Sequence, residues 1–346
     1  MGRPRYARPQ PRLRAVRITL STYRAPRVAL GNMKIAIILD PLDGIKTYKD
    51  TTYAMMVEAA GRGHALHILM QDGVMWKHGR VIGESCRLEL TGDKERWYRI
   101  DLPHEDALSE FDAVLMRKDP PFDMEYVTAT WLLELAGREG ARVFNDPRAL
   151  RDHSEKLAIA EFPRFTAPTL VTRMEKQIHD FIDAHADVVV KPLDGMGGAQ
   201  VFRVTDADPN RNVIVEMLTR HGERSIMAQR YIPEIREGDK RILLIAGEAV
   251  PYSLARIPKA GETRGNLAAG GTGVAQPLSA RDLEIATALG PELARRGLLL
   301  VGLDVIGDYL TEVNVTSPTC FQEIREQTGC NVAGLFIDAL EKACAG

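Results

Sequence analysis

The stretch KPLDGMGGAQ, residues 191–200, places a lysine at the end of an apolar run and three glycines close behind it. A Walker loop has the opposite order, because its lysine follows the glycines and opens a helix. Here Lys191 ends the strand-like run VVVK, so its ammonium group can reach past the edge of a sheet. Glycines let backbone N–H groups approach an anion closely. The pattern is typical of a triphosphate site; the alternative is a surface lysine before an ordinary glycine turn.

A second informative stretch is VGLDVIGDYLTEVNVTSPT, residues 301–319. Glu312 and Asn314 are two apart on a predicted strand and therefore share a face. A carboxylate and an amide oxygen suit Mg²⁺ rather than zinc. Asp304 on the preceding strand shares that face only if the turn is odd in length, such as Gly307-Asp308-Tyr309, because an even turn reverses the face. The alternative, a solvated polar strand face, is disfavoured by the flanking valines.

Three arginines lie between these stretches. Arg241 and Arg256 fall on predicted strands, where a fixed guanidinium can clamp a phosphoryl group through paired hydrogen bonds. Arg264 belongs to the segment PKAGETRGNLAAGGTG, residues 258–273, which has five glycines and almost no large apolar side chain. That composition predicts a mobile lid that keeps water from a reactive intermediate. Surface salt bridging is the alternative for each arginine.

Charge divides the chain unevenly. Residues 1–32 contain eight arginines and no acid, so the formal net charge of -2 leaves -10 for the remainder. An acidic body argues against a nucleic-acid groove. The basic segment is compatible with an organelle transit peptide or with a tail for anionic partners. We favour a disordered extension for residues 1–32, because a strand-like sequence that is typical of an α/β domain begins at Met33.

The cysteines indicate a reducing compartment. Their spacing contains no CxxC pair and no metal pattern with the eight histidines, which predicts a cytoplasmic protein. No run approaches the roughly 18 apolar residues of a membrane helix, so no membrane association is expected. The four cysteines are Cys86, Cys320, Cys330 and Cys344.

At 346 residues the chain is long enough for two or three domains. Residues 33–153 begin with strand, helix and strand (34–40, 51–63 and 64–70), which predicts a doubly wound parallel sheet in an α/β domain. Residues 154–233 predict an α+β unit with a strand at 199–204 and an apolar linker at 226–233. Residues 234–346 predict strands with long helices at 279–296 and 331–344, and include the lid.

These blocks together resemble the ATP-grasp superfamily, and more closely the bacterial glutathione synthetase family. The resemblance covers nearly everything from Met33 onward and implies an N-terminal domain on the peptide-substrate side, followed by a two-subdomain ATP-grasp fold. The matching blocks are MRKDPPFD, LRDHSEKL, KPLDGMGG, GDKRIL, LARIPKAGETRGNLAAGG and VGLDVIGDYLTEVNVTSPT.

The resemblance implies that γ-glutamylcysteine and glycine are ligated through an acyl phosphate, with ATP going to ADP and phosphate. It implies that Arg241 and Arg256 offset the charge that develops during phosphoryl transfer. It also implies that Arg264 contacts the peptide substrate, with Asp50 to Thr52 and the MRKDPP turn as further contacts. It also implies a homotetramer. The implied ATP-binding residues are Lys156, Lys191, Gly195, Met196, Gly197, Gly198, Gln229, Tyr231, Ile232 and Asp239. The implied Mg²⁺ ligands are Asp304, Glu312 and Asn314, with Glu312 between two ions and Mn²⁺ as a substitute.

Two alternatives remain open at this point. Another ATP-grasp carboxylate-amine ligase would keep the ATP and metal residues but not the lid sequence ARIPKAGETRGN. A non-catalytic ATP-binding module would be expected to lose one of Arg241, Arg256 or Glu312, and the sequence retains all three.

Overall fold

The structure, a computed structural model, describes residues 31–345 apart from 94, 263, 264, 266, 268 and 269. The prediction of a disordered extension concerns residues 1–32, of which 1–30 lie outside this described part. Arg264 and part of the predicted lid also lie outside it.

An eight-stranded sheet forms the first unit. Its centre is parallel, in the order β2-β1-β7-β8, and strands β3 to β6 extend one edge in antiparallel fashion. The strands are β1 (Lys34–Ile38), β2 (Ala65–Leu69), β3 (Val74–Lys77), β4 (Arg80–Leu90), β5 (Tyr98–Ile100), β6 (His104–Ala107), β7 (Ala113–Met116) and β8 (Val143–Phe144). The helices are α1 (Thr51–Gly61), α2 (Met124–Arg138) and α3 (Pro147–Asp152).

Helices cover both faces of the parallel centre, as predicted. Alternate residues of β1 enter different cores: Ile35 packs with Met55 of α1, and Ile38 packs with Leu133 of α2. A strand that is buried on both faces is a continuous apolar run, which explains the sequence KIAII. The side chain of Asp50 accepts a hydrogen bond from the Tyr53 backbone N–H and so starts α1.

A four-stranded antiparallel sheet follows, in the order β11-β10-β12-β9. The strand predicted at 199–204 begins later in the sequence, at Phe202. The predicted linker at 226–233 is largely wrong, since 226–230 is an inner strand that pairs on both sides. The elements are β9 (Thr169–Thr172), α4 (Glu175–His185), β10 (Asp187–Pro192), β11 (Phe202–Thr205), α5 (Arg211–Thr219) and β12 (Ile226–Arg230).

The third sheet has five antiparallel strands in the order β15-β14-β13-β16-β17. Because β15 starts at Thr272, the last two residues of the predicted lid belong to a strand. The elements are β13 (Asp239–Ile245), β14 (Glu248–Ile257), β15 (Thr272–Pro277), α6 (Ala280–Arg295), β16 (Leu300–Ile306), β17 (Tyr309–Asn314), α7 (Phe321–Thr328) and α8 (Val332–Ala345).

The turn between β16 and β17 corrects one prediction. Asp304 does pair with Glu312, but Ile306 pairs with Tyr309, so the turn contains two residues rather than three. The register shifts between the pair Val305–Leu310 and the pair Asp304–Glu312. Thr311 is therefore an extra residue on β17. Such a β-bulge opposes two residues to one and restores the shared face that an even turn alone would abolish.

The first and third sheets are joined through one continuous core. The apolar cluster beneath α2 extends to Ile285 of α6 and Val301 of β16. Asn145 donates hydrogen bonds of 2.8 Å to the carbonyls of Leu300 and Val315 and accepts one from the Leu300 backbone N–H. These contacts fix the end of β17 relative to the first unit. Within the described residues, no helix is both long and apolar enough to cross a bilayer.

Candidate functional site

A cavity of about 290 Å³ is lined by residues of both the four-stranded and the five-stranded sheets. The predicted ATP-binding and metal-binding residues, together with Arg241 and Arg256, all lie on its wall, whereas Asp50 to Thr52 do not. These wall residues are Lys156, Lys191, Gly195, Met196, Gly197, Gly198, Gln229, Tyr231, Ile232, Asp239, Arg241, Arg256, Asp304, Glu312 and Asn314. Arg264 falls outside the described residues.

Four charged residues of the five-stranded sheet form what we call the paired wall: Asp239, Arg241, Arg256 and Asp304. Arg241 donates to both carboxylate oxygens of Asp304, over 2.5 and 3.0 Å. Arg256 Nη2 lies 2.8 Å from Asp304 Oδ2 and 2.6 Å from Asp239 Oδ2. The register explains this network, because Arg256 pairs across strands with Asp239, and Arg241 with Asp304.

The paired wall separates the pKa values of its two acids. Burial raises the pKa of Asp239 to about 6, although Arg256 opposes this rise. Burial would also raise the pKa of Asp304, but the two guanidinium groups outweigh it and hold that pKa well below its usual range. Asp304, which is 2% exposed, is therefore ionised throughout the physiological range.

Three further charged residues that line the cavity form what we call the open wall: Glu155, Lys156 and Lys191. Lys156 Nζ donates to the Gly195 carbonyl over 2.5 Å and lies 3.5 Å from Glu312 Oε1. Lys191 Nζ lies 3.8 Å from the same oxygen. Burial lowers the pKa of Lys191, and Lys156 adds to this while Glu312 opposes it. Two buried ammonium groups thus share one distant carboxylate oxygen, which leaves them able to bind phosphate oxygens.

Glu155 is the residue that the sequence analysis missed. Its backbone carbonyl accepts from the Val313 N–H over 2.8 Å, and the Thr316 hydroxyl donates to Glu155 Oε1 over 3.3 Å. Burial raises its pKa to about 7, and repulsion from Glu312 adds to the rise. The only available signal was its place directly before Lys156 in the block LRDHSEKL.

The glycine loop lies beside Lys156, whereas the inner strand β12 and the residues that follow it shape the other end of the cavity. Gly197 and Gly198 have φ values of 63° and 79°, which disfavour other residue types. Gln229 is held by a 2.9 Å hydrogen bond to the Thr169 hydroxyl. Arg203 stacks over the Tyr231 ring at 3.8 Å, and Ile232 lies beside it. This apolar, aromatic end suits a flat heterocycle.

The predicted metal ligands fit a hard cation. Asp304, Glu312 and Asn314 offer oxygen donors on adjacent strands. The Asn314 amide nitrogen is buried without a hydrogen-bond partner, so the described protein does not hold the amide through that atom. Among the described residues, no group of three or more His, Cys, Asp or Glu side chains could hold a metal, which leaves this mixed carboxylate–amide set.

The first unit borders the cavity through the loop at 316–319. Arg117 donates to the Pro318 carbonyl over 3.1 Å and to Thr52 over 3.2 Å, and Ser317 donates to Asp119. Asp119 and Pro120 of the MRKDPP turn line the cavity. Asp50 caps α1 and Thr52 supports Arg117, so both serve structural contacts here.

Comparisons with known proteins agree with this geometry. Residues 33–151 match the prokaryotic glutathione synthetase N-terminal domain, and residues 155–329 match the prokaryotic glutathione synthetase ATP-grasp domain. Glutathione synthetase of Nitrosomonas europaea is 64% identical over 90% of this chain and 99% of its own length. That of Ralstonia nicotianae is 63% identical over 90% of this chain and 96% of its own length.

Solved structures agree on the fold alone. D-cycloserine synthetase DcsG superposes with a TM-score of 0.61 at 16% identity, covering 90% of this chain and 99% of its own. The ATP-grasp ligase PsnB, solved with a minimal precursor, Mg and ADP, has a TM-score of 0.59 at 14% identity, covering 90% of this chain and 98% of its own.

Proposed function

The chain belongs to the prokaryotic glutathione synthetase family, and from that premise we propose that it joins γ-glutamylcysteine to glycine at the expense of ATP. It is an ATP-dependent ligase with two substrates besides the nucleotide. One observation supports this most: the lysines of the open wall converge on Glu312, which pairs across strands with Asp304, the residue that both arginines bind.

The proposed reaction has two steps. A carboxylate oxygen of γ-glutamylcysteine attacks the γ-phosphorus of ATP, and ADP leaves to give an acyl phosphate. The ammonium group of glycine then loses a proton, the resulting amine nitrogen attacks the acyl carbon, phosphate leaves, and the nitrogen loses a second proton. No side chain of the protein has to act as a nucleophile.

The lysines and arginines have separate proposed roles. Lys156 and Lys191 bind phosphate oxygens beside the glycine loop, while Gln229, Tyr231 and Ile232 receive the adenine ring and Asp239 lies near the nucleotide. Arg241 and Arg256 are already oriented by Asp304, so little reorganisation is needed when they stabilise charge on the transferring phosphoryl group. Arg264 contacts the peptide substrate, a role proposed from the sequence only.

A divalent metal would offset phosphate charge, and the residues to hold it are Asp304, Glu312 and Asn314. We propose two Mg²⁺ ions, with Mn²⁺ as a substitute.

The domain division at 33–153, 154–233 and 234–346, the lid at 258–273 and the dispensability of residues 1–32 remain predictions. A cytoplasmic homotetramer is likewise proposed from the family.

The test is ADP release by the purified protein with MgATP, γ-glutamylcysteine and glycine, with glutathione identified by mass. Omitting either acceptor substrate should stop product formation, and a protein starting at Met33 should behave alike. Glu312→Gln should nearly eliminate turnover, because it removes a ligand charge with little change in volume. ADP release that needs γ-glutamylcysteine but is indifferent to glycine or any other amine would refute the assignment.

A further inference from the structure

Glu155 lines the cavity, and its carboxyl group has no ion-pair partner in the described part of the chain. Among the described residues, its side chain has no ion pair, and its contact is the Thr316 hydroxyl at 3.3 Å. The adjacent Lys156 does not supply the missing charge, since its ammonium binds the Gly195 carbonyl and faces Glu312. An enclosed carboxylate that lacks a positive partner is costly to hold, so a ligand cation is the natural partner.

The backbone fixes where this carboxyl group lies. The Glu155 carbonyl accepts from the Val313 N–H, so the segment is docked on β17 between Glu312 and Asn314. The charges around the Glu155 carboxyl group are Glu312, Lys156, Arg241 and Asp304. It therefore lies at the phosphate-transfer end of the cavity rather than at the aromatic end that holds Tyr231.

We propose that Glu155 binds the ammonium group of the incoming glycine, an inference that rests on the proposed function. Glycine has no side chain, so a protein can recognise it only through its two charges and its small size. Its ammonium nitrogen is also the atom that must reach the acyl carbon. The ammonium of γ-glutamylcysteine is several bonds from the reacting carboxylate, which makes it a poorer match to a carboxyl group at the transfer end.

The position of Thr316 supports a binding role. Thr316 is 5% exposed, and its hydroxyl donates to one oxygen of Glu155, which orients the carboxyl group. The other oxygen accepts no hydrogen bond from the residues that the structure describes, so it remains available to a compact donor. Glu155 is thus a substrate-binding residue, and Thr316 is a positioning residue that acts through it.

The test compares Glu155→Gln with wild type in steady-state kinetics. Loss of a hydrogen bond between two charged groups should raise KM for glycine by about 10- to 100-fold. KM for ATP and for γ-glutamylcysteine should be unchanged. Thr316→Val should shift KM for glycine in the same direction by less. Glu223→Gln, at an exposed acid of the same unit, is the matched control and should match wild type.

Hydroxylamine separates this binding role from a structural one. It is uncharged at neutral pH and captures an acyl phosphate as a hydroxamate without needing a carboxylate. Glu155→Gln with ATP, γ-glutamylcysteine and hydroxylamine should therefore form hydroxamate at the wild-type rate while ligation of glycine falls. Wild-type protein that forms no glutathione would refute the proposed function itself, independently of Glu155.

Three results would overturn the proposal for Glu155. An unchanged KM for glycine would mean that the carboxyl group binds no ammonium. A raised Mg²⁺ requirement with normal glycine dependence would assign Glu155 to the metal. A fall in hydroxamate formation equal to the fall in ligation would place its role before the amine enters, and Thr316→Val supplies the same comparison if Glu155→Gln does not fold.

Discussion

The paired wall and the open wall line the same cavity but differ in how closely their charged side chains are paired with one another. On the paired wall each acid contacts an arginine at 3.0 Å or less, and all four residues lie on adjacent strands. On the open wall the closest approach of either lysine to a carboxylate is 3.5 Å, and Glu155 has no cation among the described residues. Each wall combines buried cations with one partly exposed acid, Asp239 or Glu155, so exposure does not explain the difference.

The difference indicates which charges are committed before a ligand arrives. Charges that are paired within the protein are preorganised and can stabilise a developing charge without rearranging. Charges without close partners gain more from a ligand, because the ligand relieves their burial. We infer that the paired wall serves phosphoryl transfer and the open wall serves substrate binding. Mutations should separate the two walls.

The largest effect is expected for Asp304→Asn. The change leaves two buried guanidinium groups without their shared anion, which should lower the free energy of unfolding by about 3–5 kcal/mol. Turnover should fall by about 10²- to 10³-fold, because the arginines lose their orientation. Urea unfolding and ADP release measure the two effects. Asp183→Asn, which breaks an exposed pair with Arg211, is the control and should change neither appreciably.

A smaller and different effect is expected for Lys191→Met. KM for ATP should rise by about 10- to 100-fold, because a charged donor to phosphate is lost. The free energy of unfolding should be unchanged or higher, since a poorly paired buried cation is replaced by an apolar side chain of similar length. Lys176→Met, at an exposed lysine, is the control. A marked loss of stability in Lys191→Met would mean that Lys191 is paired within the protein like the arginines of the paired wall, which would contradict the proposed difference.

Much of the fold followed from periodicity. The continuous apolar run at β1 predicted a strand covered on both faces, and the helices predicted at 279–296 and 331–344 are α6 and α8 with slightly shifted ends. The strand β12 was mistaken for a linker because its neighbours in the sheet are distant in sequence. Local pattern contains no information about such pairing.

The site was predictable where side chains alternate along one strand, as for Glu312 and Asn314. The bulge at Thr311 was not, because an extra strand residue leaves no mark on hydrophobic alternation. Arg241 and Arg256 were correctly placed on strands, but their pairing with Asp304 depends on the register between three strands. Glu155 was missed because an acid beside a lysine is common on surfaces, and only the docking onto β17 brings it to the cavity.

The last prediction concerns pH and compares Glu155 with Asp304 directly. The folded-state pKa of Glu155 is about 7 against a usual 4.5, so the folded protein retains a proton that the unfolded chain has lost between these values. The stability contributed by this group is therefore complete below about pH 4.5 and is lost as pH rises to about 7. Asp304 has the opposite sign: its lowered pKa contributes stability above the usual value for Asp, so it adds no slope in that window. Without metal or nucleotide, the unfolding free energy of wild type should then fall relative to Glu155→Gln between pH 4.5 and 7.5, by about 1–3 kcal/mol. Urea unfolding at several pH values measures this, with Glu223→Gln expected to parallel wild type throughout. If the difference in unfolding free energy between Glu155→Gln and wild type is the same at every pH, the Glu155 carboxylate is already neutralised by cations of the open wall. Glu155 would then be a paired charge, like the acids of the paired wall.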